Sequence, residues 1–536
     1  MNNLKTLRSN LSHILLADSL LSILIFFIAF SCSLLVADGR YQLNPHGILE
    51  INTAMNFVEG KGFYVSRATE DGLPEFRLDI TKPPLYQFLI ACLIKAGISG
   101  KSAAWMISQG SFVLSAVMLF ILARLCMPKV PSLIVGCLFS VLISTQMYGI
   151  SAKEDALYMA FTFASLLWVT KLRLAKQTNL AAWLILGLLT AAAILTRYIG
   201  ISLVAAIFLV LTFDSIFKKS PTKCLYFFCI GIALTGLLPF INFVSSWSKG
   251  IRPAFYEPPG TSWYATISGI ISSFQRDFAG TLVVWLYDLS IIHLFIVFGF
   301  VGILTGILYW FIRLCPKLSA VGIYVFLYLV ILTFQLALNG FYPYEHRLSF
   351  PIEGLLILII TFLVWSIYKP NMSQTYRIAA SFFAISLVGI YLNGQWLRFK
   401  EYDSFSGTAS SREYCPSPKA IAWIQSHIPS GEAIFGNQCS YQLLAETNDY
   451  FWLTIPPTDE YSSSPRYNVK WKEEDFIRIK QKTGAQWIAL LLGQNGDPLI
   501  KTPGYGDFVN KLYKGQESSS IKLQAIFSDG LIFKIQ

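Results

Sequence analysis

Apolar runs of membrane-spanning length recur along this chain from residue 19 to residue 397, and they are nearly free of charge. No other feature restricts the fold as much. In lipid, only helices or closed barrels satisfy every backbone N–H and C=O. The runs are too long and too uniformly apolar for barrel strands, which alternate over about ten residues. The chain therefore reads as mainly α, a polytopic helical membrane protein. Composition agrees: 54% of the 536 residues are hydrophobic and 14% are charged, against about a quarter charged in soluble domains.

A formal net charge of +11 could signal nucleic acid. Here the basic residues sit in short loops between apolar runs, which is the positive-inside pattern. No nucleic-acid partner is expected; membrane lipid is. The basic N-terminus MNNLKTLRSN precedes an apolar stretch from Ser19 to Ala37. That length suits a span of about 20 residues and exceeds a signal-peptide core. It reads as an uncleaved signal-anchor helix with a cytoplasmic N-terminus.

Further spans are expected near 102–124, 131–149, 155–171, 180–195, 198–217, 223–246, 282–312, 319–339, 350–368 and 377–397. The stretch 85–98 is different, with Gln87 inside and Lys95 after about ten apolar residues. Such a segment is usually interfacial. If it does not cross, the cytoplasmic ends carry Lys5, Arg8, Arg124, Lys129, Lys171, Arg173, Lys176, Lys218, Lys219, Lys223, Arg313, Lys317, Lys369 and Arg377, with no acidic residue in the loops between them. If it crosses, twelve of these fourteen move outside. The charge bias selects the first case. The expectation is eleven spans, a surface helix at 85–98 entered through Pro83-Pro84, and a C-terminal region outside the cytoplasm.

Three outward parts follow. The loop 38–84 holds seven acidic residues, from Asp38 to Asp79. The loop 247–281 is rich in Pro, Gly, Ser and aromatics. Residues 400–536 mix helix-like and strand-like stretches (PKAIAWIQSHI, EEDFIRIKQKTG; EAIFGN, QWIALLLG) and read as a small α/β domain after a membrane domain of residues 1–399. Seven of nine cysteines lie in or beside apolar runs. Cys415 and Cys439 are either a pair or two free thiols. There is no Cys/His cluster at zinc spacing, and the sequon at Asn371 falls on the cytoplasmic side.

Charge at membrane depth is costly, so such residues usually face a cavity or a partner. Glu154-Asp155 opens a span, Arg197 sits in the short turn LTRYIG, Asp288 and His293 lie within 282–312, and Glu345, His346, Arg347 and Glu353 surround HRLSFPIEG. Glu345 and His346 read as interfacial. Asp155, Arg197 and Arg347 together suit a substrate with a phosphate near a hydroxyl, because arginine pairs phosphate oxygens.

In motif order the chain resembles the GT-C glycosyltransferases, polytopic enzymes that move a sugar from a polyprenyl-phosphate donor outside the cytoplasm. Its likeness is to protein O-mannosyltransferases and to the aminoarabinose transferases that modify lipid A. The likeness rests on NPHGILEINTAMNFVEGKGF at 44–63, KPPLYQFLIA at 82–91, EDALYMAF at 154–161, LTR ending at Arg197 and HRLSFP at 346–351. The family typically has an Asp eight residues before the position of Ala54; this chain has His46 there. Three readings stay open: His46 is itself the base, since imidazole titrates near neutrality; Asp38 or Glu50 reaches the same place; or the activity is lost or altered. Asp155 falls at the family's second acidic site and Lys82 at its KPP lysine. The resemblance implies donor-phosphate binding by Lys82, Arg197 and Arg347, catalytic acids and bases among Asp38, His46, Glu50 and Asp155, and inversion at the anomeric carbon. It also implies a glycan, lipid or protein acceptor and a bacterial inner membrane. No cofactor is expected, although Asp155 with a loop acid could hold one divalent metal ion. A transporter or flippase, or a ligase of lipid-linked sugars, is the competing class.

Overall fold

In the computed structural model the described residues are 2–37, 45–68, 74–78, 83–141, 152–175, 179–217, 222–232, 305–338, 350–367, 417–436, 450–454, 472–492 and 506–536. In chain order they form α1 (Asn2–Ala37), α2 (Pro45–Val58), β1 (Tyr64–Ala68), β2 (Pro74–Leu78), α3 (Leu85–Lys95), α4 (Gly100–Arg124), α5 (Lys129–Val141), α6 (Asp155–Leu174) and α7 (Leu180–Thr196). Then come α8 (Ile201–Phe217), α9 (Thr222–Ile232), α10 (Thr305–Leu314), α11 (Ser319–Leu338) and α12 (Phe350–Ile367). The rest is α13 (Pro418–His427), β3 (Ala433–Gly436), β4 (Phe451–Thr454), α14 (Glu473–Thr483), β5 (Trp487–Leu491), α15 (Gly506–Tyr513), β6 (Ile521–Phe527) and β7 (Gly530–Ile535). The chain divides into two compact units. One is Met1–Arg40, Ser108–Ile150 and Glu154–Lys400; the other is Tyr41–Ile107, Ser151–Lys153 and Glu401–Gln536.

The first unit is helical. Among the described residues, Asp18–Leu35, Gly100–Arg124 and Tyr198–Phe217 are long and apolar enough to cross a membrane. A fourth candidate, Thr305–Leu314 with Pro316–Ile331, is bent by 118° at Cys315. The expected spans at 223–246 and 282–312 run largely, and that at 377–397 wholly, beyond the described residues.

α1 and α4 are antiparallel, and side chains show it. Arg124 donates through Nε and Nη2 to both oxygens of Asp18, each at 3.2 Å. Gln109 donates to Ser33 Oγ at 2.8 Å. Residues 18 and 33 of one helix thus face 124 and 109 of the other, the same 15-residue step on both. The segment between the two helices leaves and returns at one end of the pair.

Helices without charge between them must pack by shape, and small residues allow close approach. At the α7–α9 crossing a Cβ on Gly187 would come within 2.4 Å of the Phe228 carbonyl oxygen, and one on Gly231 within 2.7 Å of the Leu184 oxygen. Phe112 stacks on Phe139 with ring centroids 5.4 Å apart, and Phe163 meets Phe139 at 6.1 Å with a tilt of 59°.

The second unit carries a seven-stranded mixed sheet in the order β2-β1-β4-β3-β5-β7-β6. β3 pairs parallel with β4 and β5, while β7 pairs antiparallel with β5 and β6. Every residue of β5 (WIALL) is buried, the continuous apolar run expected of a covered central strand. Phe435, Phe476, Ile488, Val509, Leu512 and Phe533 form its core. The first loop supplies two strands that its sequence did not announce: β1 and β2 pair as a hairpin, and Arg67 of β1 pairs with Trp452 of β4.

α3 belongs to this unit. Its 11 residues span about 16 Å, half of the ~30 Å hydrocarbon core. It buries one face, Tyr86, Gln87, Ile90 and Ala91, and Tyr86 donates to the Ala104 carbonyl at 2.9 Å. It stops at Lys95, three residues short of the expected end, because Gly97 takes the left-handed φ of 88° that closes a helix.

Candidate functional site

α6 starts with Asp155, whose side chain is fully buried. Helix α7 ends at Thr196, and Arg197, forty-two residues after Asp155, breaks out with extended φ −148° and ψ 134°. A 3-10 turn, Tyr198–Gly200, then leads into α8. The turn folds tightly back on the helix end. A Cβ on Gly200 would lie 2.8 Å from Ile194 N and 2.9 Å from Ala193 C, so this position admits only glycine without a shift. That return aims the Arg197 side chain at α6, where Nη1 donates to Asp155 Oδ1. Arg197 keeps 14% of its side chain exposed while Asp155 keeps none. The other carboxylate oxygen, Oδ2, is buried and has no hydrogen-bond partner among the described residues. A buried carboxylate normally has both oxygens satisfied. This one has capacity left for a proton donor or a cation. Lys153 and Glu154, just before it, are also buried.

Glu50 lies on α2 in the second unit and is 1% exposed. His46 is the second residue of the same helix. α2 packs closely on the residues before α6: a Cβ on Gly47 would come within 2.1 Å of the Ala152 carbonyl oxygen. Ala152 precedes Asp155 by three residues. The 44–63 motif thereby meets the segment 151–153 of its own unit at one backbone contact. Asp38, Lys82, Arg347, Asp288, His293, Glu345, His346, Cys415 and Cys439 lie outside the described residues. Glu353 is buried in the first turn of α12. Among the described residues no three His, Cys, Asp or Glu side chains come together as a metal site.

Two charged pairs escaped the sequence reading, Arg124–Asp18 and Arg173–Asp214. Arg173 donates to Asp214 through Nε at 2.6 Å and Nη2 at 3.2 Å, and to Ser319 Oγ through Nη1 at 3.0 Å. Asp214 sits inside the apolar run LTFDSIF. A lone acid one turn before a basic loop was its only signal.

Residues 81–243 match the family described as Dolichyl-phosphate-mannose-protein mannosyltransferase. That segment includes Lys82, Asp155 and Arg197. Among solved structures, ArnT from Cupriavidus metallidurans bound to undecaprenyl phosphate is similar at TM-score 0.52 and 12% identity, over 96% of this chain and 97% of that one. The apo oligosaccharyltransferase of Archaeoglobus fulgidus is similar at TM-score 0.52 and 11% identity, over 88% of this chain and 69% of that one. Its complex with zinc and sulfate gives TM-score 0.51 and 11% identity, over 87% and 68%. No curated protein matches significantly. The chain has the fold of the GT-C glycosyltransferases, and its residues 81–243 carry the sequence pattern of the dolichyl-phosphate-mannose-protein mannosyltransferase family.

Proposed function

We propose that the chain transfers a sugar from a polyprenyl-phosphate donor to an acceptor hydroxyl or amine at the extracytoplasmic face of a bacterial inner membrane, with its N-terminus in the cytoplasm. The observation that carries this reading is the buried Asp155–Arg197 pair, with Oδ2 unpartnered among the described residues, inside the segment that matches the mannosyltransferase family. The ArnT neighbour, itself bound to undecaprenyl phosphate, supports a lipid phosphate as the leaving group.

In this reading the acceptor oxygen or nitrogen attacks the anomeric carbon. The new glycosidic bond forms as the bond from that carbon to the phosphate oxygen breaks, and polyprenyl phosphate leaves. The acceptor's proton passes to a base on or beside α2, with His46, Asp38 and Glu50 as candidates. Asp155 Oδ2 is placed to accept an acceptor hydrogen bond or to hold a cation. Arg197, with Lys82 and Arg347, meets the charge that develops on the leaving phosphate; fixed positive groups at that position lower the barrier most. A single described carboxylate does not specify a metal, so no step is assigned to one.

The test is donor cleavage by purified protein, with native mass spectrometry to identify retained lipid. We expect a polyprenyl monophosphate carrying one sugar. Asp155→Asn should lower transfer by about 100-fold or more at unchanged expression. Wild-type transfer by that variant would overturn the site. Retention of a diphosphate-linked oligosaccharide without donor cleavage would favour a flippase or ligase.

A further inference from the structure

Tyr158 lies one turn after Asp155 on the same face of α6. It is fully buried, and its phenol oxygen is 3.0 Å from that of Tyr324 on α11, equally buried. The hydroxyls of Thr162 and Ser202 lie near the Tyr158 phenol, that of Thr162 without a hydrogen-bond partner among the described residues. Ser202 in turn donates to the Ile199 carbonyl at 2.7 Å, inside the 3-10 turn that starts directly after Arg197. The helix that carries Asp155 and the turn that carries Arg197 therefore meet at one hydroxyl, and α11 closes on it.

Two phenylalanines would fill this space. Burying two hydroxyls instead gains little stability, because each must replace its bonds to water. What the hydroxyls add is direction: a hydrogen-bonded pair fixes the axial and rotational setting of the helices, which apolar packing leaves looser. From this we propose that Tyr158 and Tyr324 are positioning residues for the Asp155–Arg197 pair, holding the carboxylate and the guanidinium in register across α6, α8 and α11. The proposal rests on the transferase reading above. Small misplacements at a reacting centre cost large factors in rate, so the loss should fall on kcat.

The experiment compares Tyr158→Phe, Tyr324→Phe and the double variant with wild type, reading kcat, KM for the donor and melting temperature. Each single variant should lower kcat about tenfold with donor KM within twofold. Each should also melt lower, since the bond between the two buried phenols is lost and one hydroxyl of that pair stays behind. The double variant should melt like wild type yet stay as slow as the singles. If kcat recovers together with melting temperature, or if all three keep wild-type kcat, the hydroxyls only fill the core and the proposal is wrong. A wild-type protein that transfers no sugar would defeat the transferase reading instead. The positioning claim is then decided by the melting temperatures of Tyr158→Phe, Arg197→Lys and their combination: non-additive shifts support it, and additive shifts reject it.

Discussion

One helix, α6, carries a buried aspartate–arginine pair at each end, and the two are built differently. At its start Asp155 takes one hydrogen bond from Arg197 and keeps Oδ2 unpartnered among the described residues. In its last turn Arg173 grips both oxygens of Asp214 and also Ser319. The two ends are 18 residues apart, about 27 Å. Desolvating charge is costly at both ends. At the Arg173 end each oxygen of the carboxylate is bonded and the guanidinium ties α6 to α8 and α11, so the pair is architecture. At the Asp155 end the carboxylate is incompletely bonded and Arg197 keeps some exposure. An incomplete buried pair is what a substrate or ion would finish.

The largest expected effect tests that division directly. Arg173→Ala leaves Asp214 and Ser319 without their shared donor, and breaking a buried pair costs about 3–5 kcal/mol. Heated samples analysed by size-exclusion chromatography should show a steep loss of folded protein. The fraction that stays folded should transfer sugar at close to the wild-type rate. Asp155→Asn should show the reverse, stable and inactive. An Arg173→Ala protein that is stable but inactive would erase the distinction between the two ends.

Much of the Asp155 end is legible in the sequence, because a charge at the edge of an apolar run stands out. Asp155 and Arg197 are visible that way, though nothing in the chain says that they touch. The Arg173 end is less legible. The fourteen basic residues that set the topology sit in loops without acids, yet Arg124 and Arg173 find acids on helices, Asp18 and Asp214. Helix-borne partners 106 and 41 residues away leave no local pattern. The β1–β2 hairpin is hidden for a similar reason. Its strands are five residues each, and the bridge from Arg67 to Trp452 links residues far apart in sequence. The short helix α3 is legible because the apolar run between Pro84 and Gly97 is only about ten residues long.

A change at Gly47 should act on the residues that lead into α6, near Asp155 in the chain and far from Arg173. A Cβ there would sit 2.1 Å from the Ala152 carbonyl oxygen, and backbone cannot swing aside as a long side chain can. Overpacking of this kind costs about 1–3 kcal/mol. Ala152 is three residues before Asp155 and twenty-one before Arg173. Gly47→Ala should therefore lower transfer more than it lowers melting temperature, the opposite ranking to Arg173→Ala. Equal loss of both would mean that the contact only holds α2 in place.

The smallest effect comes from a third carboxylate, in the sheet unit. Glu473 Oε1 accepts from Ser518 Oγ at 2.6 Å, Ser519 Oγ at 3.2 Å and Ser520 N at 2.9 Å. The Ser518 hydrogen bond, followed by the Ser520 amide and its neighbours, holds the Glu473 carboxyl below its ordinary value, against a small opposing effect of burial. A depressed folded value means that the bonds stabilise the region above the unfolded carboxylate pKa of about 4.3 and are lost as pH falls through the lower folded one. Hydrogen exchange at the Ser520 amide, corrected for intrinsic rate, should show protection that fades on acidification. In Glu473→Gln the protection should be weaker at neutral pH and should no longer depend on pH in the acid range. Transfer at neutral pH should be unchanged, because this carboxylate is only half-buried and is held through Oε1 by three hydrogen bonds from its own chain. A Glu473→Gln protein with impaired transfer would show that a carboxylate held by its own chain also serves the reaction, and such bonds would no longer separate site from scaffold.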